Sequence, residues 1–166
     1  MSDQALVHTH LDAVVHTLAH HLQEARARSN WSTRALSEHT HVDRRTIQRI
    51  EEGAFPGISL RSLETLANGL GVRTHSLVGT RLVMRRANER PAAEVLREHL
   101  VRARAMRNLT QHGLAAASGV PRSVIAALET GQRNPALSTL VKLAHGLDTT
   151  LSHLLDELDE SSQRLA

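Results

Sequence analysis

Leu22 to Gly53 reads LQEARARSNWSTRALSEHTHVDRRTIQRIEEG, and Leu100 to Gly131 reads LVRARAMRNLTQHGLAAASGVPRSVIAALETG. Superposed without a gap, the two share Leu22, Ala25, Arg26, Asn30, Leu36, Val42, Arg44, Ile47, Glu51 and Gly53 with their counterparts. The likeness resumes after a one-residue length difference, where LRSLETLANGL at Leu60–Leu70 matches LSTLVKLAHGL at Leu137–Leu147. Two copies are too few for a solenoid, so the repeat reads as a tandem pair of globular domains.

Punctuation cuts each copy into short helices. Ser32 and Thr110 are N-cap types ahead of the apolar-periodic stretches Thr33–His39 and Gln111–Ala117. Asp43 caps a third helix, and Pro121 opens its counterpart, where a missing N–H costs little. Gly53 and Gly131 close those helices as the residue beyond the C-cap. Leu60, Leu63, Leu66, Ala67 and Leu70 then recur at helical spacing. The expected fold is all-α, with two tandem five-helix units.

Outside the repeat, Leu11, Val14, Leu18 and Leu22 form an apolar stripe with a period of about 3.5 residues. It extends the first helix backwards, to a length of ~39 Å if continued to Arg28. The expected boundaries are an N-terminal extension at 1–21, a first domain at 22–79 and an Arg-rich linker at 80–90. A second domain at 91–158 and a polar tail at 159–166 complete the chain.

Composition narrows the function. Of 20 basic residues only Lys142 is not arginine, and the net charge is +3. Cys is absent, which excludes disulfides, thiolate metal sites and cysteine nucleophiles. Trp31 and Phe55 are the only aromatics, too few for the stacking platforms of single-strand or RNA readers. No apolar run approaches the ~18 residues of a membrane span, and Met1-Ser2-Asp3-Gln4 has no secretion-signal pattern. A cytoplasmic protein with no membrane partner is expected.

In the second copy, Gln111, Ala115, Gly119, Val120, Ile125 and Leu128 have the spacing of a DNA-binding helix-turn-helix. A small Ala115 allows two helices to cross closely, and Gly119 permits the positive-φ turn between them. Leu100–Leu155, and with it Leu22–Leu77, resembles the Cro/C1-type (XRE) family, whose domains have the lambda-repressor-like fold. The first copy departs from the pattern at Thr33, Ser37 and His41, which stand where the second has Gln111, Ala115 and Gly119. The resemblance implies a double-stranded DNA-binding transcriptional regulator, expected to be a repressor, with neither enzymatic activity nor cofactor. It also implies that Arg26–Glu51 and Arg104–Glu129 are structural ion pairs, and that Trp31 and Leu109 plug the core.

With Ile47 and Ile50 inward, Arg45, Gln48 and Arg49 face outward and Arg44 sits at the margin. Arginine reads guanine O6/N7 and glutamine reads adenine N6/N7. These four are the expected base readers. The family's phosphate-holding positions carry over to Ser32, Thr33, Arg34, Asp43 and Ser59. The second copy presents Arg122, Ser123, Ala126 and Ala127 on the same face, a poorer reading surface. Thr110, Gln111, Arg122, Ser123 and Arg133 are assigned auxiliary DNA contacts there.

One reading domain captures few base pairs, so a homodimer on an inverted-repeat operator is expected. Its seam is assigned to Leu11, Val14, Leu18, Ala126 and Ala127. The alternative arrangement packs the stripe against the second domain as an intrachain pseudo-dimer, which would suit an asymmetric operator. The alternative function is a protein-interaction module of the antitoxin or antirepressor type. His16 and His20 are spaced to share a metal on one helix face, but no further ligand pattern supports it. No metal site is assigned. The His-rich first half reads instead as a solvated surface that gains charge below pH ~6.5. No Gly-rich phosphate loop or nucleophile elbow is present.

Overall fold

A computed structural model describes residues 3–157; the tail at 159–166 lies outside the described residues. The first half comprises α1 (Asp3–Arg28), α2 (Thr33–Thr40), α3 (Arg44–Glu51) and α4 (Leu60–Gly69), closed by a 3-10 turn at Thr74–Leu77. The second comprises α5 (Ala92–Met106), α6 (Gln111–Ser118), α7 (Arg122–Glu129), α8 (Leu137–Gly146) and α9 (Leu151–Leu155). Among the described residues the structure is helical apart from isolated bridges, and no helix is long and apolar enough to cross a membrane. The fifth element of the first half is therefore a single 3-10 turn rather than the expected α-helix.

Local chemistry explains the boundaries. Ser32 Oγ accepts from Ala35 N at 3.1 Å, and Thr110 Oγ1 from Gly113 N at 3.0 Å. Asp43 caps α3 through Thr46 N at 3.1 Å, and Ser59 caps α4 through Ser62 N at 3.1 Å. Each cap satisfies a donor that the helix start leaves unpaired. The turn between α2 and α3 is left-handed at His41 (φ 56°), as its counterpart is at Gly119 (φ 67°). Histidine tolerates this conformation less readily than glycine, and the first half carries that cost.

Within each half the first and third helices are bound by a bidentate ion pair. Arg26 Nε reaches Glu51 Oε1 at 2.6 Å and Nη2 reaches Oε2 at 3.1 Å. Arg26 Nη1 also donates to the Trp31 carbonyl at 2.8 Å. Arg104 repeats the arrangement on Glu129, at 2.7 and 3.2 Å, with the Leu109 carbonyl at 2.8 Å. Forked geometry uses the guanidinium's fixed donors and sets the angle at which α3 and α7 leave the core. Trp31 and Leu109 are half-buried, so they cover the core's edge rather than plug it.

The halves share one continuous core. Helix α1 packs on α8, α4 packs on α5, and the Thr74–Leu77 turn packs on α9. Between them Leu60 N donates to the Pro135 carbonyl at 2.9 Å, and Leu137 N donates to the Ile58 carbonyl at 2.8 Å. Ser59 and Ala136 form an antiparallel bridge there. The stripe on α1 is consumed by this intrachain packing. Leu18 is only 1% exposed, while Leu11 and Val14 lie half-buried against the common core. Those residues were assigned to a seam with a second copy; the structure packs them against the chain's own core instead. Periodicity reveals an apolar face but not which surface covers it.

The Arg-rich linker is likewise not a free tether. Arg73 N donates to Val83 O at 2.8 Å and Arg85 N to Gly71 O at 2.9 Å, pinning the segment to the first half. Arg73 Nε reaches Glu89 Oε1 at 3.0 Å and Arg73 Nη1 reaches Asp156 Oδ1 at 3.3 Å. This ionic cluster joins the first half, the connector and the end of the second half.

Candidate DNA-recognition helices

Helix α3 is rooted by Ile47 and Ile50, at 0% and 1% exposure. At 100° per residue those anchors turn Arg44, Arg45 and Arg49 to solvent, with Gln48 half-buried beside them. Among the described residues neither Arg44 nor Arg45 has a carboxylate partner. Arg49 is placed differently. Its guanidinium lies 4.6 Å from the centroid of the Phe55 ring, which fixes the side chain's direction. Phe55 was not among the expected site residues. Its signal was there, as one of two aromatics, six residues after an exposed arginine and just before Pro56-Gly57.

Helix α7 has the same scaffold and a different face. Ile125 and Leu128 anchor it, at 0% and 3% exposure. Arg122 and Ser123 are exposed, and Ala126 and Ala127 are half-buried. The matched positions of the two helices therefore run Arg, Arg, Gln, Arg in α3 and Arg, Ser, Ala, Ala in α7.

A helix-turn-helix family model matches residues 100–154, and a helix-turn-helix domain model matches residues 17–78. The chain is 42% identical over 62 residues to the control protein C.SmaI of Serratia marcescens, covering 37% of this chain and 74% of that one. The chain belongs to the Cro/C1-type (XRE) helix-turn-helix family. As a member it is a DNA-binding transcription regulator, and families of this kind are not enzymes. No solved structure matches.

Within this XRE scaffold the remaining expected contacts fall into two groups. Ser32, Thr33 and Arg34 stand at the start of α2 with Ser32 and Arg34 exposed. Arg34 pairs with Glu38 at 2.8 Å, but both side chains are more than half exposed, so the pair holds Arg34 only loosely. Arg133 is exposed and Thr110 caps α6. The other residues are occupied elsewhere. Asp43 spends its carboxylate on the α3 N-terminus, and an anion there does not suit a phosphate contact. Ser59 lies half-buried in the seam between the halves, 2.9 Å from the Ser62 hydroxyl. Gln111 donates to Glu129 Oε2 at 2.8 Å, which adds it to the ion pair beneath the helix-turn-helix.

The histidines are arranged otherwise than the i,i+4 spacing suggested. His20, His21 and Glu24 bring ligand-type atoms within 4.8 Å of one another, while His16 lies outside that group. Two of the three come from adjacent residues of one helix.

Proposed function

We propose that this regulator reads operator DNA chiefly through α3, with Arg44, Arg45, Gln48 and Arg49 at base edges. A role as a repressor fits this reading, because a protein seated in the major groove of a promoter excludes others. The observation that carries it is the solvent-facing set of three arginines on two turns of one rigidly rooted helix. Bidentate arginine–guanine contacts supply about 1–3 kcal/mol of discrimination each. Ser32, Thr33 and Arg34 at the start of α2 would set the helix's height on the phosphates. Helix α7 then contributes an auxiliary contact through Arg122 and Ser123. Likeness to a control protein supports the regulatory role. The protein-interaction alternative rests on the α1 stripe and on the Ala126, Ala127 and Leu128 surface of α7; burial of Leu18 within the chain favours DNA reading over it.

Competition between a selected site and random duplex tests the reading. The double variant Arg45→Ala/Arg49→Ala is expected to lose roughly tenfold or more in preference for the site, with a much smaller change on random duplex. Wild-type binding should also weaken steeply with salt. Unchanged preference in the variant would overturn the assignment of α3.

A further inference from the structure

The contacts between the two halves are reciprocal. In the sequence repeat Ile58 corresponds to Pro135, Ser59 to Ala136 and Leu60 to Leu137. Leu60 N bonds the carbonyl of Pro135, and Leu137 N bonds the carbonyl of Ile58, at 2.9 and 2.8 Å. The bridged residues Ser59 and Ala136 are thus each other's equivalents. The pattern extends outward. The first helix of each half packs on the fourth helix of the other, and the two fifth elements meet each other. When residue i touches j and j's equivalent touches i's, the two bodies are related by a two-fold axis. Here that axis is internal to one chain, and it passes through the loops that follow α3 and α7.

The seam is built like a core. Ile58, Leu60 and Leu137 are each 1% exposed, so the two heads cannot part without unfolding it. A two-fold relation between helix-turn-helix heads is the geometry with which a dimeric reader meets a dyad in DNA. The heads are nonetheless unequal, since only Arg44 and Arg122 agree among the four outward positions.

We propose that one chain is a complete operator-binding unit, whose internal two-fold axis sets α3 and α7 on the two unequal halves of one asymmetric duplex site. The inference rests on base reading by α3 and extends it to the form of the operator. The halves share one base pair at the position read by Arg44 and Arg122. They diverge where Arg45, Gln48 and Arg49 face Ser123, Ala126 and Ala127. The α3 half calls for guanine and adenine. The α7 half is met by alanine methyl groups, which suit a thymine methyl and little else.

Duplexes selected from a random pool by the full chain, and the mass of the complex on a selected duplex, test this together. The expected complex holds one chain of 18.2 kDa per duplex. Its site should show two different half-sites about one helical turn apart, with one matching position. Arg45→Ala should relax the preference in one half only, and Arg122→Ala in the other, each by about tenfold. Two chains on a perfect inverted repeat, with both halves relaxed by Arg45→Ala, would overturn the inference and leave reading by α3 intact. A single short site insensitive to Arg122→Ala would also overturn it. Recovery of no preferred duplex would overturn the reading and the inference together.

Discussion

The first and second halves show what duplication preserves and what it releases. The second keeps the more regular scaffold: Gly119 at the left-handed turn, Ala115 at the helix crossing, and Gln111 braced on Glu129. The first carries His41 at the turn and Thr33 in place of that brace, yet it holds three exposed arginines on its third helix. Regularity of the scaffold and arginine content of the third helix have therefore separated. Because both halves share one core, the first can tolerate its weaker turn: packing against α8 and α9 contributes stability that an isolated domain would lack.

The sharpest way to break this comparison is at the crossing of the second and fourth helices, where Gly69 and Gly146 are equivalents. A Cβ at Gly146 would lie 2.7 Å from Ser118 Cβ and 2.9 Å from both its Cα and its N. Backbone cannot rotate aside, so Gly146→Ala should cost about 2–3 kcal/mol in urea unfolding. A Cβ at Gly69 would run into the Thr40 Cγ2 methyl instead. That side chain can turn, at the expense of its 2.7 Å bond to the Leu36 carbonyl. Gly69→Ala should cost about 1 kcal/mol, the usual worth of such a bond. Equal costs would mean that the two crossings are equally tight and that this difference between the halves is not real.

A smaller effect sharpens the difference in reading. Phe55 supports Arg49 and has no aromatic counterpart among Gln132, Arg133 and Asn134. Phe55→Leu removes the ring and should weaken binding to a selected site by about 0.5–1 kcal/mol, the typical size of an exposed cation–π contact. Stability should hardly change. A variant that binds as wild type would show that Arg49 needs no support.

The ionic cluster at the seam responds to pH. Burial, helped by the repulsion of Arg73, outweighs the attraction of Asp156 and leaves the His75 imidazole with a pKa below its ordinary value of 6.5. Glu89 completes the charged groups around it. The unfolded chain takes up the proton first as pH falls, so stability is full above about pH 6.5 and declines below it. His75→Gln should flatten that decline in thermal unfolding between neutral and mildly acidic pH. A decline that persists unchanged would place its origin in other histidines.

The smallest expected effect is at Arg34–Glu38, which His112 and Ala116 replace in the second half. Glu38→Gln should leave the midpoint of thermal unfolding essentially unchanged, because water screens so exposed a pair. A clear drop would make this pair part of the scaffold.

The sequence made the helices legible because caps and left-handed turns are local. Ser32, Asp43, Thr110, Asn30 (φ 52°) and Asn108 (φ 53°) all take the roles their chemistry suggests. The paired Arg–Glu bridges were legible through the family resemblance. What covers Leu18 was not, because a stripe of leucines satisfies a second copy and a second domain equally. Nor was the docking of 80–90, which reads as an Arg-rich linker while its backbone pairs with Gly71 and Arg73. At the site, the outward face of α3 followed from the spacing of Ile47 and Ile50. Contacts made across loops, such as Phe55 beneath Arg49 and Gln111 on Glu129, required the fold itself.

Paired single substitutions measure directly whether base reading is concentrated in the first head, as proposed. Arg45 and Ser123 are equivalents, both exposed and both in the first turn of a recognition helix. The affinity of Arg45→Ala and of Ser123→Ala for one selected duplex, at one salt concentration, gives the ratio. The expected loss is about 1–3 kcal/mol for Arg45→Ala and well under about 1 kcal/mol for Ser123→Ala. Equal losses, or a larger loss at Ser123, would contradict the proposal.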